Sequence, residues 1–542
     1  MAEFELDVDP TRWGRGKGEG LSPATEEFLA DHLGPGNPQP APAWDAVEVP
    51  PSRASAEQLV ALAGAVGEAH VDTSDDARRR RAGGLSYLDL VARRSGSLAA
   101  PDAVVQPGSS EEVGAVLRVA EELGLAVVTW GGGTSVVGGL RAGAIERPTI
   151  ALDTGRMADV LDIDGESMLV TVGPGIIGPD LERILATRGL TLGHYPQSWQ
   201  RATIGGYAAT RSAGQSSTGY GRSDDMIESV ELVTPRGTMR AGNVERSAAG
   251  PDLRGLIVGS EGAFGVITSV TLRVRPLPAT SSYTAVLFSD YARGVAAFRE
   301  LAQNRSTADV MRLSDPEETA ATLAMSGPGG TVGNALEAYL RVRRVSDSPA
   351  LAILGWDGDR AAVAARRLAS LRILRRHGGV SLGPTVGEAW RRHRFDGPLL
   401  RDDLMDAGYL VETLETATTW SRLLDLRQSV REALSGALGL DGREPWVMSH
   451  ISHVYDSSAS LYFTVVAPAA DDPAAQWRRA KAAASDAIVA AGATITHHHG
   501  VGRDHAPWLP AEIGPVGLGV LRAVKAELDP AGILNPGVLG LG

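Results

Sequence analysis

The sequence predicts an α+β protein of several domains, in which glycine-rich loops join strands to helices. Short apolar runs alternate with helical patterns between residues 101 and 243. From 280 to about 500 the strands are separated by long helical patterns rich in Ala, Arg and Leu. A chain of 542 residues that is 43% hydrophobic has room for roughly two to four domains.

Each element has its own signal in the chain. Helical spacing predicts helices at 111–123, 179–188, 291–303, 359–377, 420–438 and 471–491. Apolar or alternating runs predict strands at 126–130, 149–153, 168–173, 228–234 and 266–275. Pro276 and Pro278 mark a boundary between the two halves.

Composition excludes several classes of function. The net charge of −13 argues against nucleic acid as a partner. The absence of cysteine removes disulfides, thiolate metal sites and cysteine nucleophiles. The start Met1–Asp9 lacks the features of a signal peptide, and no stretch of roughly 18 apolar residues is present. We expect a cytoplasmic protein, with peripheral membrane contact left open.

The glycine loop at 130–139 is the most informative local feature. Gly131, Gly132 and Gly133 follow a predicted strand and precede Thr134 and Ser135. Such a loop brings its backbone N–H groups close to a ligand and can hold phosphate. An ordinary tight turn explains the loop equally well, so the loop alone leaves both interpretations open.

Two further glycine-rich segments lie downstream. Gly173–Gly178 matches a dinucleotide fingerprint, but no acidic residue occurs at 188–200 to bind a ribose, so we do not expect NAD. The segment Gly193–Gly206, followed by Tyr207–Gly214, is dense in small and hydroxyl residues. That composition favours a long ligand lying along the backbone over a plain surface loop.

These motifs occur in the order found in flavoproteins of the vanillyl-alcohol-oxidase superfamily, which the chain resembles. The glycine loop, Gly-His-x-Pro-x-Ser with Thr-x-Gly-Gly, Thr-Arg-Ser-Ala-Gly and Gly-Ser-Glu-Gly-Ala-Phe-Gly carry the resemblance. It implies a two-part FAD-binding domain of the PCMH type. The implied FAD-binding residues are Trp130, Gly131, Gly132, Gly133, Thr134, Ser135, Gln197, Ser198, Thr203, Gly206, Thr210, Arg211, Ser212, Ala213, Glu261, Gly262, Gly265, Val266 and Ile267. With no cysteine in the chain and no histidine at 101–150, we expect FAD to be bound non-covalently.

Motifs in the second half of the chain resemble one particular family of this superfamily. Leu400–Asp402, Tyr455–Asp456, Ala459–Thr464 and His497–Gly502, with the opening Thr11–Gly16, resemble the alkyldihydroxyacetonephosphate synthase family over about 75–542. The resemblance implies an exchange of the acyl group of acyl-dihydroxyacetone phosphate for a long-chain alcohol, through a flavin N5 adduct and without net redox. The product would be an ether-lipid precursor. A lipid substrate, the alcohol and a homodimer are the implied partners.

The same resemblance implies the domain plan and the roles of the site residues. We expect a partly helical extension at 1–94, an FAD-binding domain at 95–280, an α/β substrate-binding cap at 281–495 and a C-terminal segment at 496–542 that returns to the flavin. Tyr462 would be the acid–base residue, with His497, His498 and His499 as catalytic neighbours. Arg401 would bind the phosphate, and Arg312 would support flavin or substrate.

Each role has a simpler alternative. Tyr462 could be a half-buried strand tyrosine, and Arg401 could pair with Asp402 or Asp403 on a helix surface. If 493–499 were a strand, His497 and His499 would share one face and His498 the other, so three consecutive histidines would not hold one metal. We therefore predict no metal.

Four positions depart from the family pattern and put the substrate in question. His450 replaces an arginine, Thr464 a second tyrosine, Tyr195 a glutamate and Gln197 an aspartate. The rival function is an FAD-dependent dehydrogenase or oxidase of a 2-hydroxy acid such as D-lactate or glycolate. In that case Arg401 would hold a carboxylate and the histidines would take the α-proton.

Overall fold

A computed structural model describes residues 12–13, 20–96, 98–326, 348–440 and 442–542. The acidic start Met1–Asp9 and most of the opening motif, Thr11 and Gly14–Gly16, lie outside the described residues. Helices and sheets are mixed along the whole described chain, as the α+β class predicts.

The strands alternate with helices throughout the described chain. In chain order the strands are β1 (Val71–Asp72), β2 (Ala103–Val105), β3 (Ala126–Trp130), β4 (Thr149–Asp153), β5 (Val160–Asp164), β6 (Leu169–Val172), β7 (Leu190–Thr191), β8 (Ile227–Thr234), β9 (Gly237–Ala241), β10 (Val266–Arg273), β11 (Arg275–Pro276), β12 (Thr280–Phe288), β13 (Val310–Ser314), β14 (Ala350–Gly358), β15 (Val380–Gly383), β16 (Tyr409–Thr419), β17 (Trp446–Ile451) and β18 (Ser458–Pro468).

The helices confirm the predicted helical segments to within about three residues. Their bounds are Pro23–Leu33, Ala56–Val66, Asp75–Arg80, Tyr87–Arg94, Ser110–Leu123, Gly178–Ala186, Ile204–Thr210, Ser217–Tyr220, Ser223–Met226, Arg254–Ile257, Tyr291–Gln303, Pro316–Ser326, Arg360–Arg376, Pro384–His393, Gly397–Asp406, Leu423–Leu438, Pro473–Ala490 and Leu509–Leu528.

The first half of the chain contains two sheets that share a buried core. The described strands of the first sheet have the order β1-β2-β4-β3, and β2, β4 and β3 run parallel. β1 joins the edge antiparallel, so the segment before residue 95 contributes to this sheet. The second sheet is antiparallel, in the order β5-β6-β10-β8-β9. Val233 and Val266 of the second sheet pack with the core of the first.

The second half of the chain forms one antiparallel sheet of the order β15-β12-β14-β13-β17-β18-β16. Successive side chains of a strand point to opposite faces. One face carries large apolar residues such as Trp356 and Phe463, which pack in one core with residues of the long helices. The other face packs in part against the helices Pro23–Leu33, Pro384–His393 and Gly397–Asp406, and its remaining side chains line a cavity.

The C-terminal segment returns to the first sheet. Leu534 bridges to Val127 in parallel, and Asn535 Nδ2 donates to the carbonyl oxygens of Gly139 (3.0 Å) and Glu261 (2.8 Å). This return brings residues near 500 beside the glycine loop. No helix among the described residues has the length and hydropathy needed to cross a membrane.

The return is secured by a buried ion pair. Lys525 Nζ lies 2.6 Å from Asp529 Oδ2 and donates to the carbonyl of Ala263 at 2.8 Å. Asp529 also accepts the backbone N–H groups of Ile533 and Leu534. A charge buried in this way is tolerated only while its partners are present.

Replacing Lys525 with methionine tests this anchor. The substitution leaves the Asp529 carboxylate buried without its cation, which costs about 3–5 kcal/mol of unfolding free energy. We expect a lower midpoint in urea unfolding. Arg522→Met changes an exposed residue of the same helix and should shift stability by less than about 0.5 kcal/mol. Equal midpoints for the two variants would refute the anchor.

Candidate active site

The glycine loop packs tightly against the segment at 201–203. A Cβ on Gly131 would lie 2.4 Å from Thr203 Oγ1, and one on Gly132 would lie 2.1 Å from the Arg201 carbonyl oxygen. Gly133 has a φ of +67°, which favours glycine. The glycines are therefore required for the approach of two backbone segments, which together line one wall of a cavity.

The cavity has a volume of about 1100 Å³. That is at or above the upper end of the roughly 300–1,000 Å³ usual for small-molecule sites. Residues predicted to bind the cofactor form one part of its lining, namely Gly131, Gly132, Gly133, Thr134, Ser135, Gln197, Ser198, Thr203, Gly206, Thr210, Ser212, Ala213, Glu261, Gly262, Gly265 and Ile267. The predicted residues of the second half that line it are Arg312, Arg401, Tyr462, His498 and His499.

Four predicted residues do not line this cavity. The Trp130 ring lies under the Arg81 guanidinium at 5.1 Å, and Val266 is buried in the core of the first sheet. Arg211 turns away, with its guanidinium donating to the carbonyl oxygens of Val258 and Gly255. His497 is buried behind its two neighbours. These residues shape the surroundings of the cavity rather than its surface.

Two hydroxyl groups beside the cavity lack a protein hydrogen-bond partner among the described residues. Ser135 Oγ and Thr129 Oγ1 belong to cavity-lining residues and are buried, and neither has a hydrogen-bond partner among the described residues. A buried hydroxyl without a partner is costly, so these atoms indicate a polar ligand at the glycine loop.

The seven-stranded sheet places the reactive side chains in one row. Tyr462 on β18 lies opposite Glu415 on β16 and opposite His450 on β17. Directly paired residues of antiparallel strands share a face, so all three point away from the long helices. Apolar residues of the same face, among them Ile353, Val411, Met448 and Val466, line the rest of the cavity.

Tyr462 is held between imidazole rings. The His450 ring stacks on it with centroids 5.0 Å apart, and the His499 ring meets it edge-on at 5.6 Å. Burial raises the pKa of Tyr462 to about 12, an effect that a hydrogen bond with Thr413 partly offsets. The phenol is therefore neutral near pH 7 and can donate a proton. The resemblance implied acid–base work, and the surroundings favour the acid form.

The charge of Arg312 is balanced by an ion pair with Glu318. Its guanidinium lies 2.7 Å from Glu318 Oε1 and 3.0 Å from His450 Nε2, and His450 Nδ1 contacts the same carboxylate at 3.0 Å. Burial alone would raise the pKa of Glu318, but the charge of Arg312 and the hydrogen bond with His450 lower it. Burial, followed by the charge of Arg312, lowers the pKa of His450. The result is an ion pair beside a neutral imidazole.

Arg401 pairs with a carboxylate that the sequence did not suggest. Its Nη1 lies 2.9 Å from Glu412 Oε2, and its Nη2 donates to the carbonyl of Leu85. The alternative of an ion pair with Asp402 or Asp403 is wrong, since Asp402 instead accepts the backbone N–H of Trp13. The partner is Glu412 because both side chains are buried at the edge strand β16.

Residues 493–499 do not form the strand that would place His497 and His499 on one face. Apart from a bridge between Thr494 and Ala417, this stretch has no regular secondary structure and is bent at His497–His499. Glu415 is the cause, because its Oε1 accepts the backbone N–H groups of His497 (2.7 Å), His498 (2.6 Å) and His499 (3.0 Å). Three consecutive N–H groups that converge on one oxygen cannot belong to an extended strand.

A second buried carboxylate holds the other end of this turn. Glu261 accepts the backbone N–H of Val501 at 2.7 Å and that of Gly502 at 2.9 Å. His497 Nε2 lies 2.7 Å from the hydroxyl of Tyr455. The segment 497–502, which we call the histidine turn, is thus fixed between the two halves of the chain.

Sequence reasoning missed several site residues. Glu318, Glu412 and Glu415 were not singled out, although a glutamate within an apolar strand pattern, as in Tyr409–Thr419, signals a buried charge with a partner. Arg394 was also missed. It lines the cavity, stacks over Tyr195 and Phe395, and has no carboxylate ion pair within the described ranges.

The electrostatics of the histidine turn come from burial and from Glu415. Burial lowers the pKa of His497 and of His499 to about 3 in each case. Burial opposes ionisation of Glu415, yet its contact with His498 holds the pKa of this carboxylate well below the ordinary value. The turn therefore presents the neutral imidazoles of His497 and His499 beside one ionised carboxylate.

Comparison with known proteins identifies the scaffold. Residues 101–242 match the model described as FAD binding domain, and residues 277–539 match the FAD linked oxidases, C-terminal domain. A solved structure of p-cresol methylhydroxylase superposes with a TM-score of 0.68 at 17% identity, covering 90% of this chain and 96% of that one. The PCMH-type fold is thereby confirmed.

Three curated relatives at 30–34% identity are all named as the same enzyme. Alkyldihydroxyacetonephosphate synthase of Dictyostelium discoideum is 34% identical over 461 residues, which cover 84% of this chain and 76% of the relative. A solved structure of alkyldihydroxyacetonephosphate synthase superposes with a TM-score of 0.80 at 28% identity, covering 95% of this chain and 92% of that one. FAD is the cofactor. The chain belongs to the alkyldihydroxyacetonephosphate synthase family.

Proposed function

We propose that this chain is an FAD-dependent alkyldihydroxyacetonephosphate synthase, which replaces the acyl group of acyl-dihydroxyacetone phosphate with a long-chain alcohol. The observation that carries the proposal is one cavity that holds the glycine loop, Tyr462 beside His498 and His499, and an apolar sheet face. A cofactor, a proton-moving group and a hydrocarbon chain can all meet there. The rival oxidase needs no such long apolar wall for a short hydroxy acid.

The domain plan supports this assignment. We propose that 95–280 hold FAD, that 281–495 form the cap and that 496–542 complete the site, with 1–94 as an extension that adds β1 to the first sheet. The unpartnered hydroxyls of Ser135 and Thr129 and the exposed loop backbone fit the phosphates of FAD. When bound, FAD supplies a ring nitrogen that can act as a nucleophile beside the reacting carbon.

The chain's own residues handle the proton and the charge. In the exchange, the C1–oxygen bond to the acyl group breaks, the fatty acid leaves, and the alcohol oxygen bonds to C1. We propose that Tyr462 passes its own proton to His499 as it takes the proton on C1, and that His498 accepts the proton that the alcohol loses as its oxygen bonds to C1. The apolar sheet face excludes water and holds the hydrocarbon chains.

The substrate phosphate needs a cation. Arg401 and Arg312 remain our proposed substrate-binding residues, but each shares its charge with a buried glutamate. Arg394 lines the same cavity and carries a charge that no carboxylate ion pair neutralises within the described part of the chain. We therefore add Arg394 as a phosphate ligand.

The reaction class is tested with two substrate sets. Palmitoyl-dihydroxyacetone phosphate with hexadecanol should give ether lipid and free palmitate without an electron acceptor, measured by mass spectrometry. Anaerobic D-lactate or glycolate should leave the flavin oxidised. Bleaching of the flavin by a hydroxy acid, without ether formation, would replace the proposal with the oxidase.

Tyr462→Phe tests the proton-moving group. Removing the hydroxyl should lower the rate of ether formation by at least about 100-fold, because general acid–base catalysis contributes roughly 10²–10⁴. The visible flavin spectrum should not change. The matched control is Tyr291→Phe, since Tyr291 is buried in the helix-packed core, away from the cavity-lining residues. Retained activity in Tyr462→Phe would remove Tyr462 from its role.

Gly132→Ala tests the glycine loop. The new Cβ would lie 2.1 Å from the Arg201 carbonyl oxygen, so the loop must move away from the segment at 201–203. We expect folded protein with a reduced FAD-to-protein absorbance ratio. Gly436→Ala is the control, since a Cβ there meets nothing within 4 Å. A full complement of FAD in Gly132→Ala would show that the loop does not hold the cofactor.

A further inference from the structure

The histidine turn and the sheet face bring metal-binding side chains together in two overlapping groups, namely His453 with His497 and His498, and Glu415 with His498 and His499. Nδ1 of His497 and Nδ1 of His498 lie 3.0 Å apart. Glu415 Oε2 lies 3.6 Å from His497 Nδ1 and 3.3 Å from His498 Nδ1. His453 also offers a ring nitrogen, and His453, His497 and His498 have ligand atoms within 4.8 Å of one another.

These separations match the geometry of a bound cation. Two ligands of a tetrahedral zinc ion, each about 2.0–2.1 Å from the metal, lie about 3.3 Å from each other. The three separations among His497, His498 and Glu415 bracket that value. The convergence arises because Glu415 gathers the backbone of the turn with its other oxygen.

One of these side chains keeps an unpartnered buried atom. His453 Nδ1 has no hydrogen-bond partner among the described residues, and its side chain is buried. The buried Glu415 Oε2 contacts only the ring nitrogens of His497 and His498. The His453 ring stacks on His497 at 5.0 Å and meets His498 edge-on at 5.2 Å. A buried polar atom without a partner indicates a missing ligand.

Polar groups around these side chains can hold the rings in place, as hydrogen-bond partners of metal ligands do in known metal sites. The free nitrogen of a metal-bound imidazole commonly bonds a further polar group, which fixes the ring. His497 Nε2 already contacts the Tyr455 hydroxyl at 2.7 Å, and Arg222 donates to the His497 carbonyl at 3.1 Å. His453 and His498 also line the cavity, so a cation bound here would reach its contents.

We propose that His453, His497, His498 and Glu415 form a site for one divalent transition-metal ion. Three imidazoles and one carboxylate are a donor set that suits zinc. The expectation of no metal was argued for the case that 493–499 is a strand, and the structure has a turn there instead. This proposal goes beyond the proposed function, because metal binding is measured without substrate.

The proposal is tested by the zinc content of the full flavin-loaded chain. Protein is incubated with zinc, desalted and measured by inductively coupled plasma mass spectrometry. We expect about one zinc per chain, lost in His453→Gln and in His498→Gln. His505→Gln is the control, since His505 is buried and bonds the Gly500 carbonyl outside the cluster. It should keep its zinc.

Folding is checked separately by flavin content and by the thermal midpoint. Zinc should raise the midpoint of the wild-type chain and of His505→Gln, but not that of His453→Gln. Two results would overturn the proposal. One is a wild-type zinc content no higher than that of His453→Gln, which would make the cluster a proton-sharing network. The other is equal loss of zinc in His505→Gln.

Discussion

Two buried carboxylates, Glu415 and Glu261, hold the histidine turn between the two halves of the molecule. Glu415 comes from the seven-stranded sheet and Glu261 from the loop before β10. Each accepts backbone N–H groups of the turn. Hydrogen bonds to a charged acceptor are stronger than neutral ones, and buried N–H groups left without acceptors are costly. The placement of the histidines relative to the sheet and the glycine loop therefore depends on these two side chains.

That placement determines the chemistry available at Tyr462. The tyrosine lies in a row with His450 and Glu415, and the turn brings His499 against its ring. Burial favours the uncharged form of the phenol and of the imidazoles. The charges described in this wall belong to the Arg312–Glu318 ion pair and to Glu415, which accepts backbone N–H groups. The wall is thus suited to moving protons without leaving a bare charge in the apolar cavity.

Local signals predicted much of the fold and part of the site. Helical periodicity found Tyr291–Gln303 and Ser110–Leu123, because one face of each helix is buried and the other exposed. The glycine loop was recognisable because its spacing is local. The pairing of Glu415 with residues more than 80 positions away was not, since the backbone N–H groups that donate to it leave no trace in residue spacing. The bend at His497–His499 could not be predicted for the same reason, because a distant carboxylate sets its backbone conformation.

The fold by itself does not select the reaction, because the same scaffold supports different flavin chemistries. The balance of charge along the cavity bears on which substrate can bind there. Arg312 and Arg401 are each matched by a buried glutamate, so their net effect on an anionic substrate is small. Arg394 is held by rings and by the Tyr283 hydroxyl instead, so its charge stays available. A phosphate headgroup would therefore be drawn toward Arg394, while the apolar sheet face accepts the hydrocarbon chain.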